Sequence, residues 1–190
     1  MELPENIRIT KITDSFDEVT DLILSTPMVM EMPISLGRYQ IRAYLETDAD
    51  ALYHILSDAE TMRYIEPPYS LEQTKAFLQE QMRLRRVYAL TDREDRLLGQ
   101  IIFHPYDTDS YEIGWILSRE YWNRGIATEV TGALMEHAAQ KGIRSFVIEC
   151  HPEQKTTMHI ARKLGFSDQG VQDGLRRYRL EMTDNTVKTL

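Results

Sequence analysis

The stretch Tyr111 to Gly142, YEIGWILSREYWNRGIATEVTGALMEHAAQKG, constrains the fold of this chain more than any other. It opens with a short apolar run, Ile113-Gly114-Trp115-Ile116-Leu117, of strand length and strand composition. A polar link leads to the tight Arg124-Gly125-Ile126-Ala127-Thr128. Ile126, Val130, Leu134 and Ala138 then recur at the spacing of one helix face, until Gly142 stops the pattern. A strand that enters a helix through a small-residue loop has a chemical use. The first helical turn leaves N–H groups unpaired and carries the positive end of the helix dipole, so it can hold a phosphate or pyrophosphate. Gly125 and Ala127 keep side chains out of the way, so a ligand can approach the backbone closely.

The stretch resembles the acyl-CoA-binding core of the GNAT N-acetyltransferase superfamily, whose pyrophosphate loop reads Q/R-x-x-G-x-G/A. Here the loop is Trp122-Asn123-Arg124-Gly125-Ile126-Ala127, in which the glycine and the small residue match and Trp122 replaces Gln or Arg. Trp ahead of such a loop, with Ala-Thr-Glu after it, looks most like the RimJ/RimL-type branch, which acetylates protein N-termini. A second segment carries the same resemblance. That branch has N-x-x-S and then G-F, and this chain has Gln154-Lys155-Thr156-Thr157 followed by Lys163-Leu164-Gly165-Phe166. The likeness spans roughly Tyr39 to Met182. Its motifs are specific jointly, since G-x-A alone is a weak pattern and a glycine-started helix is usually a core helix.

A chain of 190 residues suits one domain with an extension, and is long enough to bury a core. Its net charge of −8 argues against a protein built to bind nucleic acid. An acidic surface suits a cationic amine substrate, though it equally serves solubility. The one cysteine, Cys150, excludes an intrachain disulfide framework and a cysteine-based zinc cluster, and the five histidines show no metal-ligand spacing. No signal peptide is evident at the start. The apolar run Leu22 to Ile34 is too short to span a bilayer and is interrupted by Pro27, Glu31 and Pro33. A cytoplasmic enzyme without a metal or membrane partner is expected.

Residues 1–36 read as an N-terminal extension, with a short helix over Asp17 to Ser25. The domain is expected over 37–184, and 185–190 as a tail. Tyr39 to Tyr44 alternates as a first strand. Thr47 is placed to cap a helix over Asp48 to Ser57, and Ser70 with Gln73 forms a capping box for a helix to about Arg85. Met62 to Tyr69 reads as a loop, marked by Pro67-Pro68. Val87 to Thr91 and Leu97 to Phe103 read as an antiparallel pair ended by His104-Pro105. The fourth strand then begins at Tyr111. Ser145 to Cys150 is a buried fifth strand, parallel to the fourth because a helix joins them. Arg176 to Met182 alternates as a last strand.

The fold implied is α/β (α+β) of the GNAT type. It has a mixed, mostly antiparallel sheet flanked by helices, with a splay between the fourth and fifth strands. The resemblance implies acetyl-CoA as co-substrate. Main-chain groups of Ile116, Leu117 and Ser118 are assigned to the pantetheine and oxyanion, and Arg124, Gly125, Ile126, Ala127 and Thr128 to the pyrophosphate, with Gln154 beside the cofactor. Tyr64, Glu66 and Tyr69 are the substrate-side residues.

Transfer from a thioester to an amine needs a base for the amine, a donor for the oxyanion and a proton for the thiolate. Glu112, at the start of the fourth strand, is the candidate base, with Glu149 and His151 as substitutes. The family's usual acid is a tyrosine five residues before the G-F phenylalanine. Ala161 stands there, which leaves Thr157 as the candidate acid. Cys150 reads as a structural thiol. The expected activity is acetyl transfer by direct attack to a protein N-terminal amine. The alternatives are a small-molecule amine (aminoglycoside, polyamine, amino acid) or a non-catalytic acyl-CoA sensor. A homodimer is left open.

Overall fold

The computed structural model describes residues 31–183. The helix expected over Asp17 to Ser25 and the tail over 185–190 lie outside the described residues. Among the described residues, eight strands form one sheet in the order β1-β2-β3-β4-β5-β6-β8-β7. They are β1 Ile34–Leu36, β2 Tyr39–Arg42, β3 Val87–Asp92, β4 Leu97–Pro105, β5 Ser110–Leu117, β6 Ser145–Cys150, β7 Ser167–Gln172 and β8 Leu175–Glu181. The helices are α1 Ala49–Leu56, α2 Ala59–Met62, α3 Leu71–Leu84, α4 Ile126–Gln140 and α5 Lys155–Lys163. All neighbours are antiparallel except β5 and β6, which run parallel across the α4 crossover. The fourth and fifth strands of the family count are therefore β5 and β6 here. The sheet starts at Ile34, inside the segment read from sequence as the extension, because Ile34 and Leu36 bury against β2.

Two apolar layers cover the sheet. Ile126, Val130, Leu134 and Ala138 of α4 are buried with Ile113, Leu117, Phe146 and Ile148 on one face. On the other, Leu52, Ile55 and Leu56 of α1 and Phe77 and Leu78 of α3 pack on Ala89 and Ile116. Each fully buried aliphatic side chain contributes about 1.5–3 kcal/mol. Both long crossover helices end in the same way. Gly142 (φ 95°) and Gly165 (φ 89°) take the left-handed conformation. Ile143 and Phe166 then donate back to Ala138 and Ala161, a Schellman stop.

Local starts differ more from expectation. The capping box is present, with Ser70 Oγ accepting from Gln73 N at 3.1 Å and Gln73 Oε1 from Ser70 N at 2.8 Å. Thr47, by contrast, caps nothing; it lies in a 3-10 turn, Glu46–Asp48, ahead of α1. Asp48 is drawn there by Arg42, which donates to its two carboxylate oxygens at 2.7 and 2.9 Å. The β4 strand runs on through His104 and Pro105 rather than stopping before them, since both pair with β5.

The relation between β5 and β6 positions everything that follows. They pair only at Ser110–Ser145, Tyr111–Phe146 and Glu112–Val147, although β5 continues to Leu117 and β6 to Cys150. Beyond Glu112 the two strands are splayed. Two bonds bracket the other side of β5: Tyr106 N donates to Ser110 O at 2.8 Å and Ser118 N to Leu98 O at 2.9 Å. Bonded and non-bonded pairs alternate along an antiparallel ladder. Glu112, Gly114 and Ile116 therefore direct their main-chain groups to β4, and Ile113, Trp115 and Leu117 direct theirs to the splay. Gly99 permits this close ladder, because a Cβ there would lie 2.4 Å from Ile116 O.

Candidate active site

One wall of the splay ends at the glycine loop. Trp122, the residue that departs from the motif, donates its indole N–H to Leu117 O at 2.9 Å. The chain then turns through Asn123 (φ 58°) and Gly125 (φ 76°) into α4. A Cβ added at Gly125 would meet nothing within 4 Å, so glycine serves the backbone conformation and leaves open space in front of it. Glu129 N makes the bond to Gly125 O at 3.0 Å that starts the helix. The N–H groups of Ile126, Ala127 and Thr128 precede it, free to bind an anion. Arg124 lies over the Tyr121 ring at 5.4 Å. A cavity of about 310 Å³ opens beside the loop, with Arg38, Arg93 and Arg124 among its lining residues.

The other wall is β6 and the start of α5. Met182 N donates to Arg144 O at 2.7 Å, so by the same alternation Glu149 turns its main chain away from β8 and toward the splay. Gln154 is the N-cap of α5 without a side-chain cap bond, which leaves its amide available to a ligand. Thr157 follows in the first turn, buried at 8% exposure, and Ala161 is fully buried.

The polar centre lies on the α1–α3 face. Glu112 on β5 is opposite His104 on β4. His104 Nε2 stands 3.4 Å from Glu112 Oε2, at a geometry that makes no hydrogen bond, so the buried nitrogen has no partner. Burial, and then the neighbouring Glu149 carboxylate, push the Glu112 carboxyl up to about 7 against the pull of Arg177. Burial lowers the His104 imidazole to about 4, although its Nδ1 bond to Pro105 O opposes this. Glu112 still exposes 17% of its side chain, enough to meet a ligand. Glu149 is differently placed. Its Oε1 accepts from Tyr106 Oη at 2.8 Å and from Arg177 Nε at 2.8 Å, so its charge is compensated. Burial and that bond to Glu149 raise the Tyr106 phenol above its ordinary value.

The α2–α3 loop reaches the same face. Tyr64 stacks on His151 with ring centroids 5.3 Å apart, which joins the loop to the end of β6. Tyr69 Oη donates to Glu66 Oε2 at 2.7 Å, so these two brace each other.

Of the cofactor residues read from sequence, Leu117 faces the splay. Ile116 and Ser118 direct their main-chain groups to β4, where Ser118 N is already bonded. The main chains of Ile113 and Trp115 face the splay beside Leu117. His104, Tyr106 and Arg177 were not singled out, because only strand register brings them to Glu112 and Glu149. Alternation along Arg176–Met182 was the available signal for Arg177. Cys150 is buried and burial raises its thiol to about 11, as suits a structural residue. Among the described residues no helix is long and apolar enough to cross a membrane, and no cluster of three or more His, Cys, Asp or Glu could hold a metal ion.

The family model described as acetyltransferase (GNAT) domain matches residues 38–167. The chain is 30% identical over 144 residues to the uncharacterized N-acetyltransferase YnaD of Bacillus subtilis (strain 168), covering 73% of this chain and 85% of that protein. It is 28% identical over 143 residues to the ribosomal-protein-serine acetyltransferase of Escherichia coli (strain K12), covering 69% and 80%. The crystal structure of a GNAT-family acetyltransferase from Bacillus anthracis superposes with a TM-score of 0.72 at 25% identity, over 81% of this chain and 99% of that one.

Proposed function

This chain belongs to the GNAT acetyltransferase family, and from that premise we propose that it moves an acetyl group from acetyl-CoA to the N-terminal amine of a protein. The observation that carries the reading is the open edge of β5. It runs from the glycine loop, past the splay-facing groups of Leu117, Trp115 and Ile113, to the carboxyl of Glu112.

The residues divide the work along that edge. The N–H groups of Ile126, Ala127 and Thr128 bind the pyrophosphate, with Arg124 adding charge. Main-chain groups of Ile113 and Trp115, with the N–H of Leu117, align the pantetheine as an added strand would, and an N–H among them receives the carbonyl oxygen as it becomes an oxyanion. Gln154 lies on the opposite wall. Glu112 takes the proton of the incoming ammonium, directly or through a water. The freed nitrogen attacks the thioester carbon, the C–S bond breaks, and the second proton that the nitrogen sheds on becoming an amide passes to the departing thiolate. Thr157 is assigned to relay that proton through its hydroxyl. A carboxyl that titrates near 7 is matched to this task, since a base works best close to operating pH.

The acceptor is assigned by two considerations. The ribosomal-protein-serine acetyltransferase of Escherichia coli is a relative over most of the chain. On the acceptor face the Glu149 carboxylate is also compensated, because it is held by Arg177. Such a face suits a single terminal amine next to peptide groups, with Tyr64 and His151 as an aromatic wall. The test is release of free thiol from acetyl-CoA in the presence of N-terminal peptides, polyamines, aminoglycosides and amino acids. Release confined to peptides supports the reading. Release confined to small amines reassigns the acceptor, and saturable acetyl-CoA binding without release to any of them indicates a sensor.

A further inference from the structure

His104 has no role in the scheme above, yet it is buried beside Glu112 with one ring nitrogen unsatisfied. It is 8% exposed and lies opposite Glu112 in the β4–β5 register. Its Nδ1 is 2.8 Å from Pro105 O. A carbonyl oxygen only accepts, so Nδ1 carries the ring hydrogen and Nε2 carries a lone pair. That Nε2 is buried with no hydrogen-bond partner, and it stands 3.4 Å from Glu112 Oε2. A lone pair facing an ionised carboxylate is repelled. The same lone pair facing a carboxylic acid completes a hydrogen bond once the two close by a few tenths of an ångström.

We propose that His104 is the positioning residue of this site: its Nε2 accepts a hydrogen bond from the protonated Oε2 of Glu112, so the free enzyme stores Glu112 as an oriented acid that ionises for turnover. The inference rests on the reading of Glu112 as the base. The surrounding charges agree with it. Glu149 from β6 disfavours a second negative charge at Glu112, and Arg177 from β8 offsets it only in part while bound to Glu149. Arg86, just before β3, disfavours a positive charge on His104, so the imidazole stays a neutral acceptor. Tyr106, after β4, gives its hydroxyl to Glu149 and so does not compete for Nε2. His104 thus holds the carboxyl in the protonated form to a higher pH than burial alone.

The test is nitrogen-15 NMR of the full chain labelled at histidine, with the His104 signals assigned from a His104→Gln variant. The expected result at pH 6 is hydrogen on Nδ1 and a lone pair on Nε2. The Nε2 shift should then move with a midpoint near 7 as Glu112 ionises. Hydrogen on Nε2, or an Nε2 signal that stays flat through that midpoint, overturns the proposal. A second readout uses the pH–rate profile of His104→Gln, whose amide donates to an ionised Glu112. Its acid limb should move down by about one unit, as an added hydrogen bond to the charged form requires, and an unmoved limb also overturns the proposal. Full activity of Glu112→Gln would remove the base assignment while leaving the NMR result standing, so the two claims fail separately.

Discussion

The indole N–H of Trp122 donates to the main-chain oxygen of Leu117 at 2.9 Å, which ties the glycine loop to the open edge of β5. Leu117 is one of the residues whose main chain faces the splay. The aromatic residue found where the motif has Gln or Arg therefore fixes the loop against the open edge of β5, where the pantetheine is proposed to lie. Replacing Trp122 by Phe keeps an aromatic ring and removes the bond. The KM for acetyl-CoA should rise by about 3–10-fold, the worth of one hydrogen bond, with kcat little changed. Steady-state kinetics with acetyl-CoA varied checks this, and a fall in kcat at unchanged KM would speak against it.

Gly125 is required for its φ of 76° and for the space in front of it. Gly125→Ala should cost about 1–2 kcal/mol of stability, the penalty for a left-handed side chain. It also places a methyl group in the open space proposed for the pyrophosphate. Acetyl-CoA affinity should fall by on the order of tenfold, the equivalent of one or two main-chain hydrogen bonds. Calorimetric titration of the folded variant measures this, and unchanged affinity would remove the loop from the binding site.

The crossover helix α4, the capping box at Ser70 and the buried β6 were legible from the sequence, because each is written in local spacing: a fourth-residue apolar repeat stopped by a glycine, a Ser–Gln pair three residues apart, a short apolar run. The edge strands were not. Ser167–Gln172 is mostly exposed and polar, so no alternation marks it. Ile34–Leu36 is three residues long and follows Pro33. The same limit applies to the site. The loop at Gly125 is a local motif and was found as one. The proton-handling group depends on His104 standing opposite Glu112, and on Arg177 standing opposite Glu149. Register of that kind is set by the whole sheet.

The buried pair gives stability an opposed pH dependence. Glu112 binds its proton more tightly folded than unfolded. Its contribution is therefore full below the ordinary carboxyl value of 4.5 and is lost as pH rises through about 7. His104 is the reverse: its neutral form is favoured by folding, so stability is lost as pH falls from 6.5 through about 4. Denaturant unfolding from pH 4 to 8 should show Glu112→Gln losing the decline toward pH 7 while keeping the loss toward pH 4. A variant that keeps the decline toward neutral pH would assign it to another group.

Tyr64 and His151 stack at 5.3 Å on the face proposed for the acceptor. Tyr64→Ala should raise the KM for the acceptor peptide by about 10-fold, in line with the loss of an aromatic contact, and leave the KM for acetyl-CoA alone. Two-substrate kinetics separates these. A change confined to acetyl-CoA would place Tyr64 on the cofactor side.

The most direct test of the account is thiol release by Glu112→Gln beside the unaltered chain, with acetyl-CoA affinity measured on both. The predicted result is a fall in kcat of about 10²–10⁴-fold, the usual contribution of a general base, at unchanged acetyl-CoA affinity. The unaltered chain should also lose rate below about pH 7 as Glu112 becomes protonated. A variant that releases thiol at the full rate, with the same acid limb, would contradict the assignment of Glu112 as the base.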